Sequence, residues 1–343
     1  MKKENSIVIW RIVFTYMIVA FHFDTTFPWM NDAGFVSGWY LAVEFFFLVS
    51  GYLIFAKFEE SRERYGYTLR FMLHRYAQIW PKYILSFILT FCAIMLLGKN
   101  KLPAIPLLWD SKFEIALLQG IGLDRGWDYI NPTLWYLSVM MIASFLIFFM
   151  LKYMRRFFVG YLAPAMIILF LFVIYVKRGA LDVAVMDPGE VVNFPLFRGI
   201  AEMCLGMYAC MLTDWFINHG SELLWKCIGS ACMLVAILLA TYLGHSGFDY
   251  LILILLFVGV SAGFLPSDEM DPVIARWSDM TLDIYLLHEL FRMHIFPHFF
   301  SRDVGLGRKL LYMLLYMIAV SMAAMLMNLI FSKVGQLWKK DER

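Results

Sequence analysis

The chain has 343 residues, of which 62% are hydrophobic and 16% charged, whereas a soluble domain carries about 25% charged residues. A water-soluble fold needs a polar surface around its core, so this composition excludes one and points to lipid as the solvent. A net charge of +2 gives no basis for binding nucleic acid.

A membrane-spanning helix takes about 20 mostly apolar residues. Such stretches fall, in chain order, at 6–23, 36–56, 79–97, 133–151, 160–176, 197–216, 223–243, 249–265, 279–297 and 309–331. They predict an all-α integral membrane protein, a bundle of about ten transmembrane helices in a single domain over 1–343. The first stretch follows a short basic start, as a signal peptide does. Arg11 interrupts it and no small-residue cleavage site follows, so it reads as a retained helix. The 11 Trp and 18 Tyr suit side chains at the headgroup level. The cysteines Cys92, Cys204, Cys210, Cys227 and Cys232 lie in apolar runs without paired spacing, so neither a metal site nor a disulfide framework is expected.

Loop charges set the orientation. Lys2 and Lys3, then Lys57, Arg62, Arg64, Arg70 and Arg75, then Lys152, Arg155 and Arg156, and finally Lys333, Lys339, Lys340 and Arg343 alternate along the chain. This pattern puts both termini in the cytoplasm, with Arg302, Arg308 and Lys309 as the dissenting group. The connections 57–78 and 98–132 are too short for a soluble catalytic domain. Any active site must therefore be built from helix interiors and helix ends.

Ionisable residues within spans are costly, about 2.5–3.5 kcal/mol for Arg, Lys or Asp at a helix centre on insertion scales, and so they face partners or cavities. Here they are Arg11, His22, Glu44, Arg198, Glu202, Asp283, His288 and Glu289. Arg11 and His22 return to nearly the same face of one helix, about 16 Å apart along its axis. A guanidinium suits phosphate and a neutral imidazole suits proton abstraction; snorkelling of Arg11 and an interfacial His22 are the plainer alternatives. Arg198 and Glu202, four residues apart, read as a structural ion pair. The Ser50-Gly51 step allows close helix approach, within the chain or between copies.

Several segments now combine. Arg11 and His22, with ten residues between them, resemble the Arg-X10-His signature of the membrane-bound acyltransferase-3 family. Glu44 to Leu53, Arg75 to Pro81, Thr133 to Ser138 and Ser278 to His288 resemble its later stretches in the same order, over about 6–330. Gln78 stands where the family often has a second Arg. Met140 stands where Glu often follows, which limits the expected role of that helix to packing around Trp135. The resemblance implies O-acylation, most often O-acetylation, of cell-surface carbohydrate at a bacterial plasma (inner) membrane, with acetyl-CoA as the cytoplasmic donor and no metal.

On that reading Arg11 and Arg75, with Arg70 and Lys82 as lesser candidates, hold the anionic donor. His22 is the base, oriented by Glu44 or Asp24. Trp135, Tyr136, Tyr285 and His288 are candidate acceptor contacts. Alternatives are a transporter or flippase, a non-catalytic membrane partner, and transfer to nitrogen instead of oxygen; acceptor identity and oligomeric state are not readable from the sequence.

Overall fold

The computed structural model describes residues 6–28, 36–60, 68–98, 103–122, 130–184, 190–266, 271–302 and 304–341. The orientation charges Lys2, Lys3, Arg62, Arg64 and Arg343 lie outside them. Among the described residues every element is helical. In order they are α1 (Ile7–Thr26), α2 (Ala42–Glu60), α3 (Thr68–Leu97), α4 (Ala104–Asp110), α5 (Lys112–Ile115), α6 (Trp135–Phe157), α7 (Ala163–Arg178), α8 (Phe194–Asn218), α9 (Glu222–Leu243), α10 (Phe248–Gly263), α11 (Pro272–Asp279), α12 (Thr281–Glu289), α13 (Phe296–Phe299) and α14 (Leu306–Asp341). π-helical turns at Phe158–Leu162 and Leu290–Ile295 join α6 to α7 and α12 to α13.

Among the described residues seven helices are long and apolar enough to cross a membrane, against about ten expected. Three expected spans account for the difference. Stretches 133–151 and 160–176 run on as one helical path, Pro132–Arg178, bent where Met154 leaves helical geometry. The stretch at 249–265 forms α10, whose 16 residues reach about 24 Å, short of a hydrocarbon core of about 30 Å. Stretch 279–297 is helical from Thr281 through its π-helical turn, but it carries the charges of Asp283, Glu289 and Arg292.

α2 is the central element. Of its apolar stretch 78% is buried, against 22% for α9 and 28% for α14, which face outward. α2 packs on α8, α6, α10 and α1, and α12 packs between α1, α3 and α14. The closeness of α2 and α8 comes from two glycines. A Cβ on Gly51 would stand 1.9 Å from the Met203 carbonyl oxygen, and one on Gly206 would stand 2.0 Å from that of Leu48. Each obstacle is backbone, which has no rotamer to yield. Gly51→Ala is therefore expected to lower the unfolding temperature of the detergent-solubilised protein, with a cost at or above the usual 1–3 kcal/mol of overpacking. Gly160→Ala, with nothing within 4 Å of the added carbon, is the neutral control.

Candidate active site

Five helices enclose an internal cavity of about 190 Å³. α1 contributes Arg11, Thr15 and Ile18, which share one face at helical spacing. α2 contributes Val43, Phe46, Val49, Ser50 and Leu53; α3 contributes Arg75 and Ile79; α6 contributes Tyr136, Leu137 and Met140; α12 contributes Thr281, Leu282 and Tyr285. The lining is apolar apart from two guanidiniums and a few hydroxyls. Tyr136 Oη and Ser50 Oγ lie 3.3 Å apart across it.

The two arginines differ in how far the protein satisfies them. Among the described residues Arg75 Nη2 meets only the weak acceptor Met140 Sδ, at 3.4 Å, and the buried Arg75 Nε has no hydrogen-bond partner. Arg11 Nη2 donates to Thr281 Oγ1 at 3.4 Å, and Asp279 at the end of α11 is the acid whose charge acts on it. Buried polar groups are normally satisfied, so the unmet Arg75 Nε stands out in this cavity.

The stripe Arg11, Thr15 and Ile18 continues one turn further to His22. His22 is not in the cavity lining; its ring lies 5.1 Å from that of His288, centroid to centroid. His288 stacks at 5.4 Å on Tyr285, which does line the cavity. A ring nitrogen of each histidine and a carboxylate oxygen of Glu289 fall within 4.8 Å of one another. Glu289 is gripped by Arg292, whose Nε donates at 2.9 Å and whose Nη2 donates to the other oxygen. Arg292 Nη1 also donates to Thr25 and Thr26 at 2.8 and 2.7 Å, tying the end of α1 to the π-helical turn. Both carboxylate oxygens already hold guanidinium donors, so the three side chains make a poor cation site in spite of their spacing.

Residues 111–122 and 130–134 are bonded to each other near α12. Buried Glu114 accepts the backbone N–H groups of Ile130 and Asn131 at 2.8 and 2.7 Å. Asn131 Oδ1 accepts from Thr133 at 2.8 Å, and Tyr285 Oη donates to the Thr133 carbonyl. The Thr133 carbonyl thus fixes a cavity-lining tyrosine.

Several expected roles are corrected by these partners. Glu44 does not orient His22, because Arg198 holds both of its oxygens, Nε at 3.0 Å and Nη2 on the other. Glu202 is 3.5 Å from Arg198 Nε, so the expected Arg198–Glu202 pair is part of a buried trio in which Glu44 is the main partner. Asp24 is buried at the end of α1 but lies two residues from His22, and residues so spaced do not face each other on a helix. Lys82 is bound to Asp283 at 2.8 Å, with Asn328 donating to the same acid, so its charge is not available to a donor. Arg70 is exposed on α3 and lines no part of the cavity. Trp135 lies against the Arg198 guanidinium, 5.6 Å from its ring centre, and serves the trio instead of the cavity. Met140, expected only to pack, lines the cavity and touches Arg75.

A second groove of about 860 Å³ lies between α1, α11 and α14 and includes Met317, Met322 and Met325. It holds none of the residues singled out in the sequence.

Fold and site together define an integral membrane protein that keeps its chemistry-bearing side chains between helices. The acyltransferase-3 family model, described as an acyltransferase domain, matches residues 4–332, nearly the whole chain. The chain belongs to this family and is a membrane acyltransferase. No curated protein and no solved structure matches it.

Proposed function

We propose that this acyltransferase moves an acetyl group from acetyl-CoA to a hydroxyl of a cell-surface or secreted carbohydrate, in a bacterial plasma membrane with both termini cytoplasmic. One observation carries the reading: Arg11 and Arg75 line one cavity, Arg75 Nε has no hydrogen-bond partner among the described residues, and the stripe of α1 that begins at Arg11 leads to a histidine. Arg11 lies about 6 Å and Arg75 about 10 Å along their helices from the ends at Ile7 and Thr68, at the face where a cytoplasmic polyanion arrives.

A cavity of about 190 Å³ is below the roughly 300–1,000 Å³ of a drug-sized site. It suits the thioester end of a donor whose phosphates stay near the arginines. His22 accepts the proton of the acceptor hydroxyl while the oxygen attacks the acyl carbonyl carbon. The new C–O bond forms, the C–S bond breaks, and the departing thiolate takes the proton from His22.

The test is transfer of labelled acetyl from acetyl-CoA to glycan by the purified chain in liposomes. Flux of a solute without transfer would overturn the reading. Within the same assay Arg75→Lys is expected to raise the KM for acetyl-CoA about tenfold with little change in kcat. A point charge replaces the planar fork that binds phosphate in two places. An unchanged KM would remove Arg75 from the donor site.

A further inference from the structure

The carbonyl oxygen of Tyr285 can only accept, so His288 Nδ1, 2.5 Å from it, is the ring nitrogen that carries the proton. In the neutral ring Nε2 is then a bare lone pair. It is fully buried and has no hydrogen-bond partner among the described residues. The His22 ring is its neighbour, at 5.1 Å between centroids. The backbone holds this arrangement in place: Tyr316 Oη donates to the His288 carbonyl at 3.0 Å. From the other side, Arg292 ties Thr25 and Thr26 of α1 to Glu289, the residue next to His288. Each imidazole is thus anchored through its own helix, and the two helices are cross-linked beside them.

We propose that His288 is the positioning residue of His22: its Nε2 accepts the N–H of the His22 ring, directly or through one bridging water, and so leaves the other His22 nitrogen unprotonated for the acceptor hydroxyl. One ring nitrogen of each lies within 4.8 Å of one of the other's, a separation that a single water bridges. This assigns to a second histidine the part that a carboxylate plays in a serine-type triad, where the third group fixes the tautomer and direction of the base. It rests on the reading of His22 as the base, and it replaces Glu44 and Asp24 in the orienting role.

The test compares His288→Leu, His288→Gln and His22→Ala in the full chain, with labelled acetyl-CoA as donor and unfolding temperature as the check on folding. Leu keeps the bulk of the buried side chain and removes the acceptor. Gln returns an acceptor oxygen close to the position of Nε2, without the basicity of imidazole. His288→Leu is expected to lower kcat by about 10²-fold with the KM for acetyl-CoA within about twofold, and His288→Gln is expected to recover most of that loss. The proposal is overturned if His288→Leu retains full kcat while His22→Ala is inactive. It is equally overturned if His288→Gln is as impaired as His288→Leu although both fold, since an acceptor atom would then not be what His288 supplies. An active His22→Ala would instead remove the base, and the reading beneath this one would go with it.

Discussion

His22→Ala is expected to cut the rate of acetyl transfer by about 10²–10⁴-fold, the usual worth of a positioned general base. The effect should fall on kcat. Arg11 and Arg75 remain to hold the donor, and neither touches the imidazole. Stability should change little, because the His22 ring is only partly buried and its neighbour His288 is already held at Nδ1 by the Tyr285 carbonyl. The measurement is labelled acetyl on glycan per unit of folded protein. A variant that keeps the parental kcat would take His22 out of the chemistry and leave the cavity without a base.

Arg198→Leu is expected to be the most damaging single change to folding. The guanidinium is 1% exposed, and it stands among Glu44, Glu202 and the carbonyl of Val183, which Nη1 reaches at 3.2 Å. Taking out one member of a buried ion cluster leaves charge without compensation, at a cost of about 3–5 kcal/mol. That is a large share of the 5–15 kcal/mol that separates a typical folded domain from its unfolded chain. Two carboxylates remain in this case, so loss of folded protein in detergent is the expected result. Replacing all three with Met, which fills irregular gaps and carries no charge, should recover much of the loss, because it removes the desolvation cost along with the attraction. Yield of monodisperse protein and unfolding temperature measure both. A stable Arg198→Leu protein would show that the trio contributes little to the fold.

These two residues also mark how far the sequence could be read. The face shared by Arg11 and His22 follows from helical spacing within one segment, and the structure keeps it. Asp24, expected as an orienting acid, is two residues from His22 and so falls off its face. The partners of Glu44 and Lys82 could not be read in this way. Arg198 is 154 positions from Glu44, and Asp283 is 201 positions from Lys82, so each pairing is decided by which helices pack together. His288 belonged to the same class, although a local signal existed. Glu289 and Arg292 are spaced to pair on one turn, which is unusual in an apolar stretch and marks the place where the helix widens into a π-helical turn. The difference in the number of spans has another origin: apolar length alone does not show that the path from α6 to α7 bends at Met154 without a loop, or that α10 has 16 residues.

The reciprocal approach of Gly51 and Gly206 has a consequence for how the enzyme can diverge. Met203 and Leu48 present main-chain atoms to those two positions, so α2 has no freedom to slide or rotate against α8. Val49, Ser50 and Leu53, which form one wall of the chamber, are held at a fixed depth. A lineage that takes up a bulkier acyl chain therefore has to trim these side chains one at a time, because the helix that carries them cannot step aside.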